Sequence, residues 1–209
     1  MSLQTSRFDI VVFILLFLYA FHPNLLIAAD NWNEIRNAAQ DINSVSAEFI
    51  QEKHLKILAK PLVSKGILFF KEPDYLRWEY ISPVQSILLM QKGSTKRYLK
   101  GDGGVIKDGG ANLRAIPLIL QEISLWLKGH FHESLIFSSK LVGKSKIVLT
   151  PKEDYLKDMI SSIELTFSLP SAIIERVMIY EDKNSFTKLE FQNTKINAPM
   201  DLSLFKEVP

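Results

Sequence analysis

The side chains best suited to chemistry are few and scattered. Beyond residue 30 there are three histidines: His54, His130 and His132. His130-x-His132 would place two imidazoles on one strand face, as paired metal ligands require. No carboxylate cluster supplies a third ligand, and Glu133 falls on the opposite face, so strand-end histidines in solvent are expected. Gly101-Asp-Gly-Gly104 and Asp108-Gly-Gly110 lack the Lys-Ser/Thr of a phosphate-cradling loop. No Gly-x-Ser-x-Gly elbow is present. The absence of cysteine excludes thiol nucleophiles, thiolate metal sites, disulfides and a lipid-modified N-terminal cysteine. Asp and Glu are dispersed, with no pair that spacing marks as acid and base. Lys+Arg 25 against Asp+Glu 23 leaves no charge excess for nucleic acid. Lys140, Lys144 and Lys146 read as a solvated strand pair. The expectation is a protein without catalysis, metal, cofactor or nucleic-acid partner.

The apolar residues carry more information. In Leu76-Arg77-Trp78-Glu79-Tyr80 the alternation puts Leu76, Trp78 and Tyr80 on one strand face, with Arg77 and Glu79 on the other. The preceding run, Gly66-Ile-Leu-Phe-Phe-Lys71, is apolar on both faces. Further on, Ala115 to Leu127 reads as a helix with Pro117 near N1 and Gly129 beyond its end. That helix is apolar almost all round, so it must be covered on several sides or must itself cover something apolar. With 47% hydrophobic residues and 13 Phe, a curled sheet under such a helix could hold a lipid against its concave face.

The elements that would position these residues follow from the punctuation of the chain. Arg7 precedes a run of 12 apolar residues, Ile10 to Phe21; His22-Pro23-Asn24 breaks it and Leu25-Leu-Ile-Ala-Ala29 ends in small residues. Twelve residues span about 18 Å as helix, short of a bilayer core of roughly 30 Å. This describes a secretory leader over residues 1–29, cut after Ala29 or one residue earlier, leaving a single domain over 30–209. Asn31-Trp-Asn-Glu34 reads as a capping box opening a helix over 31–43. Ten β-type runs follow, at 46–58, 65–71, 75–81, 85–91, 95–100, 131–137, 139–150, 160–168, 172–181 and 186–196, with the glycine-rich 100–110 as a flexible loop. Strands without βαβ alternation predict a mainly β fold with α: a large antiparallel sheet that curls on itself.

Several stretches resemble the LolA family of periplasmic lipoprotein carriers. They are Val45-Ser-Ala-Glu-Phe-Ile-Gln51, Ser64-Lys-Gly-Ile-Leu-Phe-Phe-Lys-Glu-Pro-Asp-Tyr-Leu-Arg-Trp-Glu-Tyr80 with Pro83, Ile147-Val-Leu-Thr-Pro-Lys152, and the tail from Asn197 through Leu204-Phe205 to Pro209. The resemblance implies an incomplete β-barrel closed by helices over an apolar cavity. It also implies a periplasmic carrier taking acylated lipoprotein, or another lipid, from an inner-membrane transporter to an outer-membrane acceptor. The acceptor in that scheme is itself a lipoprotein, so a chain without cysteine looks like the soluble carrier. A monomer is expected, and a periplasmic sensor or regulatory domain on the same scaffold is the alternative. Phe49, Phe69, Leu76, Trp78, Tyr80 and Leu89 are the expected cavity wall. Ile119, Ile123 and Trp126 are expected on a lid helix hinged at the glycines of 101–110. Where the best-known carriers have an Arg before the Pro of the second turn, latching the lid, this chain has Glu72.

Overall fold

The computed structural model describes residues 28–101, 104–108, 116–169 and 171–206, with side chains from Trp32 onward except at 101, 104–108 and 116–120. Eleven strands form one sheet: β1 Ser44–His54, β2 Leu62–Lys71, β3 Tyr75–Ser82, β4 Ser86–Gln91, β5 Ser94–Gly101, β6 Gly104–Asp108, β7 Phe137–Val142, β8 Lys146–Pro151, β9 Ser162–Ser168, β10 Ile173–Tyr180 and β11 Phe186–Ile196. Helices α1 (Ala28–Gln40), α2 (Ile116–Leu127) and the short α3 (Asp154–Lys157) accompany them, and a 3-10 turn spans Leu202–Phe205.

The strand order is β6-β5-β4-β3-β2-β1-β11-β10-β9-β8-β7, every pair antiparallel. Two meanders are therefore joined where the first strand pairs with the last. The sheet stays open, with β6 and β7 as its edges, and α2 lies in the chain segment linking those edges. Three irregularities bend it. The register shifts by one residue at Asn193-Thr194 of β11, at Glu175 of β10 and at Ile81 of β3. Each extra residue raises the local right-handed twist and curls the sheet toward its apolar face. At the β11 bulge Asn193 takes the left-handed conformation (φ 53°), which Asn tolerates better than most residues.

The inner face carries the core. Leu68, Phe70, Leu76, Trp78, Leu149, Leu165 and Val177 are buried in one cluster with Ile35, Ala39 and Ile42 from α1 and its exit. Ile35, Ala39 and Ile42 recur at helical spacing, so α1 lays a single stripe on the sheet. At Gly66, which pairs with Phe49, a Cβ would stand 2.1 Å from the Glu79 carbonyl oxygen and 2.3 Å from Phe49 Cζ. The Phe49 ring occupies the space of the missing side chain and meets Trp78 (centroids 4.6 Å) and, edge-on, Tyr80 (5.3 Å). The C-terminal segment crosses the outer face. Asn197 Oδ1 accepts from the Asn43 N–H (2.8 Å), Lys71 Nζ donates to the Met200 carbonyl (3.0 Å), and Arg77 donates to the Leu204 carbonyl (3.1 Å). Phe205, buried, packs on Tyr75.

Several expectations are corrected. Among the described residues eleven strands are present where ten were expected, because Gly104–Asp108 pairs with β5 in place of a flexible loop. Residues 131–136 are turn, bend and irregular chain rather than strand, and 139–150 is a hairpin folded at Gly143 (φ 66°). Asn31 lies inside α1, so it does not cap the helix. The expected leader lies outside the described residues except at Ala28 and Ala29. Gly129, by contrast, does end α2. At φ 74° its N–H donates to the Trp126 carbonyl and His130 N–H to that of Leu125, the paired bonds of a Schellman motif.

Gly66→Ala should lower stability by about 1–3 kcal/mol, since neither the Glu79 backbone nor the packed Phe49 ring can yield. Chemical denaturation reads this directly; an unchanged midpoint would show that Phe49 is free to move.

Candidate functional site

The two halves of the curled sheet do not meet at their centre. Between them, under α2, lies a cavity of about 350 Å³, within the roughly 300–1,000 Å³ typical of small-ligand sites. One wall comes from the first meander, with Val45 and Ala47 (β1), Leu68 (β2), Trp78 and Tyr80 (β3) and Leu88 (β4). The facing wall comes from Ile163 (β9), Ile174, Val177 and Ile179 (β10), and Leu189 and Phe191 (β11). Ile123, Trp126 and Leu127 of α2 cover it. That one space touches strands from both ends of the order is the direct consequence of the curl.

The sequence-selected residues divide by face. Trp78, Tyr80, Ile123 and Trp126 line the cavity. Phe49 and Leu76 lie on the inner face but behind its surface: Phe49 is wedged beneath Trp78 and Tyr80, and Leu76 is wholly buried. Phe69 and Leu89 sit on the outer face, because both are in register with Arg77 rather than with Trp78. Neighbouring residues with the correct phase, Leu68 and Leu88, line the cavity instead. The side chain of Ile119 and the glycines 103, 109 and 110 lie outside the described residues. Sequence reading missed the whole β9–β11 wall, although alternation in Ile163-x-Leu165-x-Phe167 gives one apolar face there.

A few polar groups interrupt the apolar lining: Gln51, Ser86, Arg97, Glu122, Thr187 and Thr194. The Tyr80 hydroxyl donates to Gln51 Oε1 (2.8 Å); burial raises its pKa, partly opposed by Trp78 and by the nearby Arg97. Glu122 projects from α2 with 5% exposure. Its Oε1 accepts from Ser134 Oγ (3.0 Å), which in turn accepts the Phe137 N–H (2.8 Å). Glu122 Oε2 and the Trp126 indole N–H have no aligned hydrogen-bond partner. Burial pushes the Glu122 carboxyl up, against the pull of Ser134, Trp126 and Lys152.

The residue at the turn also differs in sign from the Arg implied by the resemblance, and the structure shows its partner. Lys128, just past α2, donates from Nζ to the Pro73 carbonyl (2.7 Å) and stands 3.7 Å from Glu72 Oε1. The end of α2 is thus tied to the β2–β3 turn by a cation on the helix side. His130 and His132 sit in a turn, both beside Glu133 in exposed contacts (3.1 and 3.9 Å), not on a strand opposite to it. Among the described residues no group of three or more His, Asp or Glu side chains could hold a metal ion, and no helix is long and apolar enough to cross a membrane.

An unclosed antiparallel sheet, curled around an apolar space and roofed by a helix, defines a class of β proteins with a ligand-sized interior. Within that class the chain belongs to the LolA family: the family model described as "Outer membrane lipoprotein carrier protein LolA" matches residues 40–207. The "Outer-membrane lipoprotein carrier protein" of Francisella tularensis subsp. tularensis (strain WY96-3418) is 27% identical over 195 residues, 92% of this chain and 90% of the relative. Its counterpart in subsp. novicida (strain U112) is 26% identical over the same span. The MucA/MucB complex of Pseudomonas aeruginosa contains a similar fold (TM-score 0.51, 14% identity), matching 87% of this chain but only 61% of that one. A LolA superfamily protein from Nitrosomonas europaea aligns over 87% of this chain and 98% of its own, at TM-score 0.46 and 7% identity.

Because the folded carboxyl of Glu122 holds its proton more strongly than the unfolded one, stability from this group is greatest at low pH. It falls as pH rises from the ordinary glutamate range toward the raised folded value. The stability advantage of Glu122→Gln over the parent should therefore grow across that window and then level off. Denaturation at several pH values measures it; a constant difference would mean that Glu122 is not desolvated.

Proposed function

We propose that this chain is exported by a leader over residues 1–29 and works in the periplasm as a monomeric carrier. In this reading it shields the acyl chains of lipoproteins, or of another lipid, on their way from the inner to the outer membrane. The observation that carries the reading is the apolar cavity of about 350 Å³ between the two halves of the sheet and α2. Exposing a methylene to water costs about 0.8 kcal/mol, so a bare acyl chain of twelve carbons costs on the order of 10 kcal/mol. A cavity lined by Trp78, Ile163, Val177, Leu189 and Ile123 offsets that cost without catalysis. Release then requires work against the closed state, which here means separating Lys128 from the β2–β3 turn and Glu122 from Ser134. The donor would be an inner-membrane transporter and the acceptor an outer-membrane protein. Family names support a carrier, not an enzyme. The fold shared with MucB keeps a regulatory, partner-binding domain as the second reading.

Organic extraction of the protein from its own cell envelope, followed by mass spectrometry, should yield acylated species. A fluorescent fatty-acid probe should bind, and Ile123→Asp or Trp78→Glu should weaken it about tenfold or more by placing an unpaired charge in the lining. An empty extract together with no probe binding in the parent would favour the partner-binding domain.

A further inference from the structure

Large apolar side chains left in water are ordinarily dispersed singly. Among the described residues, six of the eleven here lie in or beside two neighbouring hairpin connections: Ile57, Leu58, Leu62, Val63, Ile81 and Val84. The connections are β1–β2 (residues 55–61) and β3–β4 (residues 83–85). The registers Lys53 with Leu62 and Lys65 with Ser82 put them side by side at one end of the sheet. Ile57 is 87% exposed and Val84 66%, far beyond what partial packing leaves. No fold requirement explains Ile57 in a turn where a polar residue would serve as well.

Along the β1–β2 connection and its flanking strand the charge has one sign. From Lys53 to Lys71 the chain carries five lysines and no Asp or Glu. Lys53 is paired with Glu181, while Lys56, Lys60 and Lys65 are exposed. Asp182, which accepts from the N–H groups of Asn184 and Ser185, also attracts Lys56 electrostatically, which leaves Lys60 and Lys65 as the other exposed cations of this stretch. Apolar tips surrounded by exposed lysines complement the boundary between anionic headgroups and acyl chains, where one component enters the hydrocarbon and the other meets phosphate. The cavity lining reaches the same end of the sheet through Tyr80, Ser86 and Thr187.

We propose that the β1–β2 connection, with Val84 beside it, is a reversible docking surface for an anionic lipid bilayer. This surface stands whether or not the cavity carries acyl chains. If both hold, docking brings one end of the cavity to the headgroups.

The test is co-sedimentation of the exported protein with vesicles of phosphatidylethanolamine and phosphatidylglycerol, against vesicles of phosphatidylcholine alone. Binding should be about tenfold stronger to the anionic vesicles and should fall at about 0.5 M salt. Ile57→Ser with Leu58→Ser, and separately Lys56→Glu with Lys60→Glu, should each cut it about fivefold or more without moving the denaturation midpoint. The lining variant Ile123→Asp should bind vesicles like the parent, which separates this surface from the cavity. No binding to anionic vesicles, or binding that neither double variant reduces, overturns the proposal and turns the patch toward a protein partner.

Discussion

The structure depends on a mismatch of widths. Eleven strands about 4.8 Å apart make a ribbon roughly 50 Å wide, whereas two helices each about 10 Å across cover less than half of it. The uncovered apolar face cannot stay in water, so the sheet covers itself by curling. The bulges at Ile81, Glu175 and Asn193 supply the bend. Self-covering by a stiff sheet is imperfect, and the residual gap between Trp78 and Leu88 on one side and Ile163, Val177 and Leu189 on the other is the cavity. The cavity is thus a product of the architecture, not an addition to it.

Helix α2 serves as both cover and wall. Trp126 and Glu122 are buried beneath it, and between Gln121 and Leu127 only Gln121 is exposed. Its C-terminal end is fixed three ways. The Schellman bonds at Gly129 stop the helix, Lys128 reaches the β2–β3 turn, and Gly129 lets the chain approach α1, where a Cβ would meet Ala39 Cβ at 2.6 Å. Glu122 introduces the opposite tendency. A buried carboxyl facing an apolar space, with no aligned partner at Oε2, weakens the closed arrangement. Displacing the cover costs those polar contacts together with the exposure of Trp126, Ile123 and Leu127, unless cargo covers these side chains in turn.

Much of the fold was legible because the strand signals are local. Alternation found most strands, and the apolar helix was placed to within a residue of α2. The errors arose where pairing partners decide. Val105-Ile-Lys107 is too short between glycines to read as a strand until β5 lies beside it, and Gly143 splits one apparent run into a hairpin. The same limit governed the site. Trp78 and Tyr80 are in phase with their own strand, so alternation placed them. Phe69 and Leu89 belong to strands that are apolar on both faces, because the C-terminal segment from Asn197 to Phe205 buries part of the outer face. Once both faces are covered, periodicity no longer tells inside from outside.

Under the proposed function, acyl chains lie inside the curl of the sheet. Quenching of tryptophan emission by a fatty acid brominated along its chain tests it most directly, because three tryptophans occupy distinct places. Trp78 and Trp126 line the cavity, while Trp32 packs outside it against Phe131. Strong, saturable quenching is expected in variants that keep only Trp78 or only Trp126, and little in a variant that keeps only Trp32. Quenching confined to Trp32, or equal at all three positions, would contradict it.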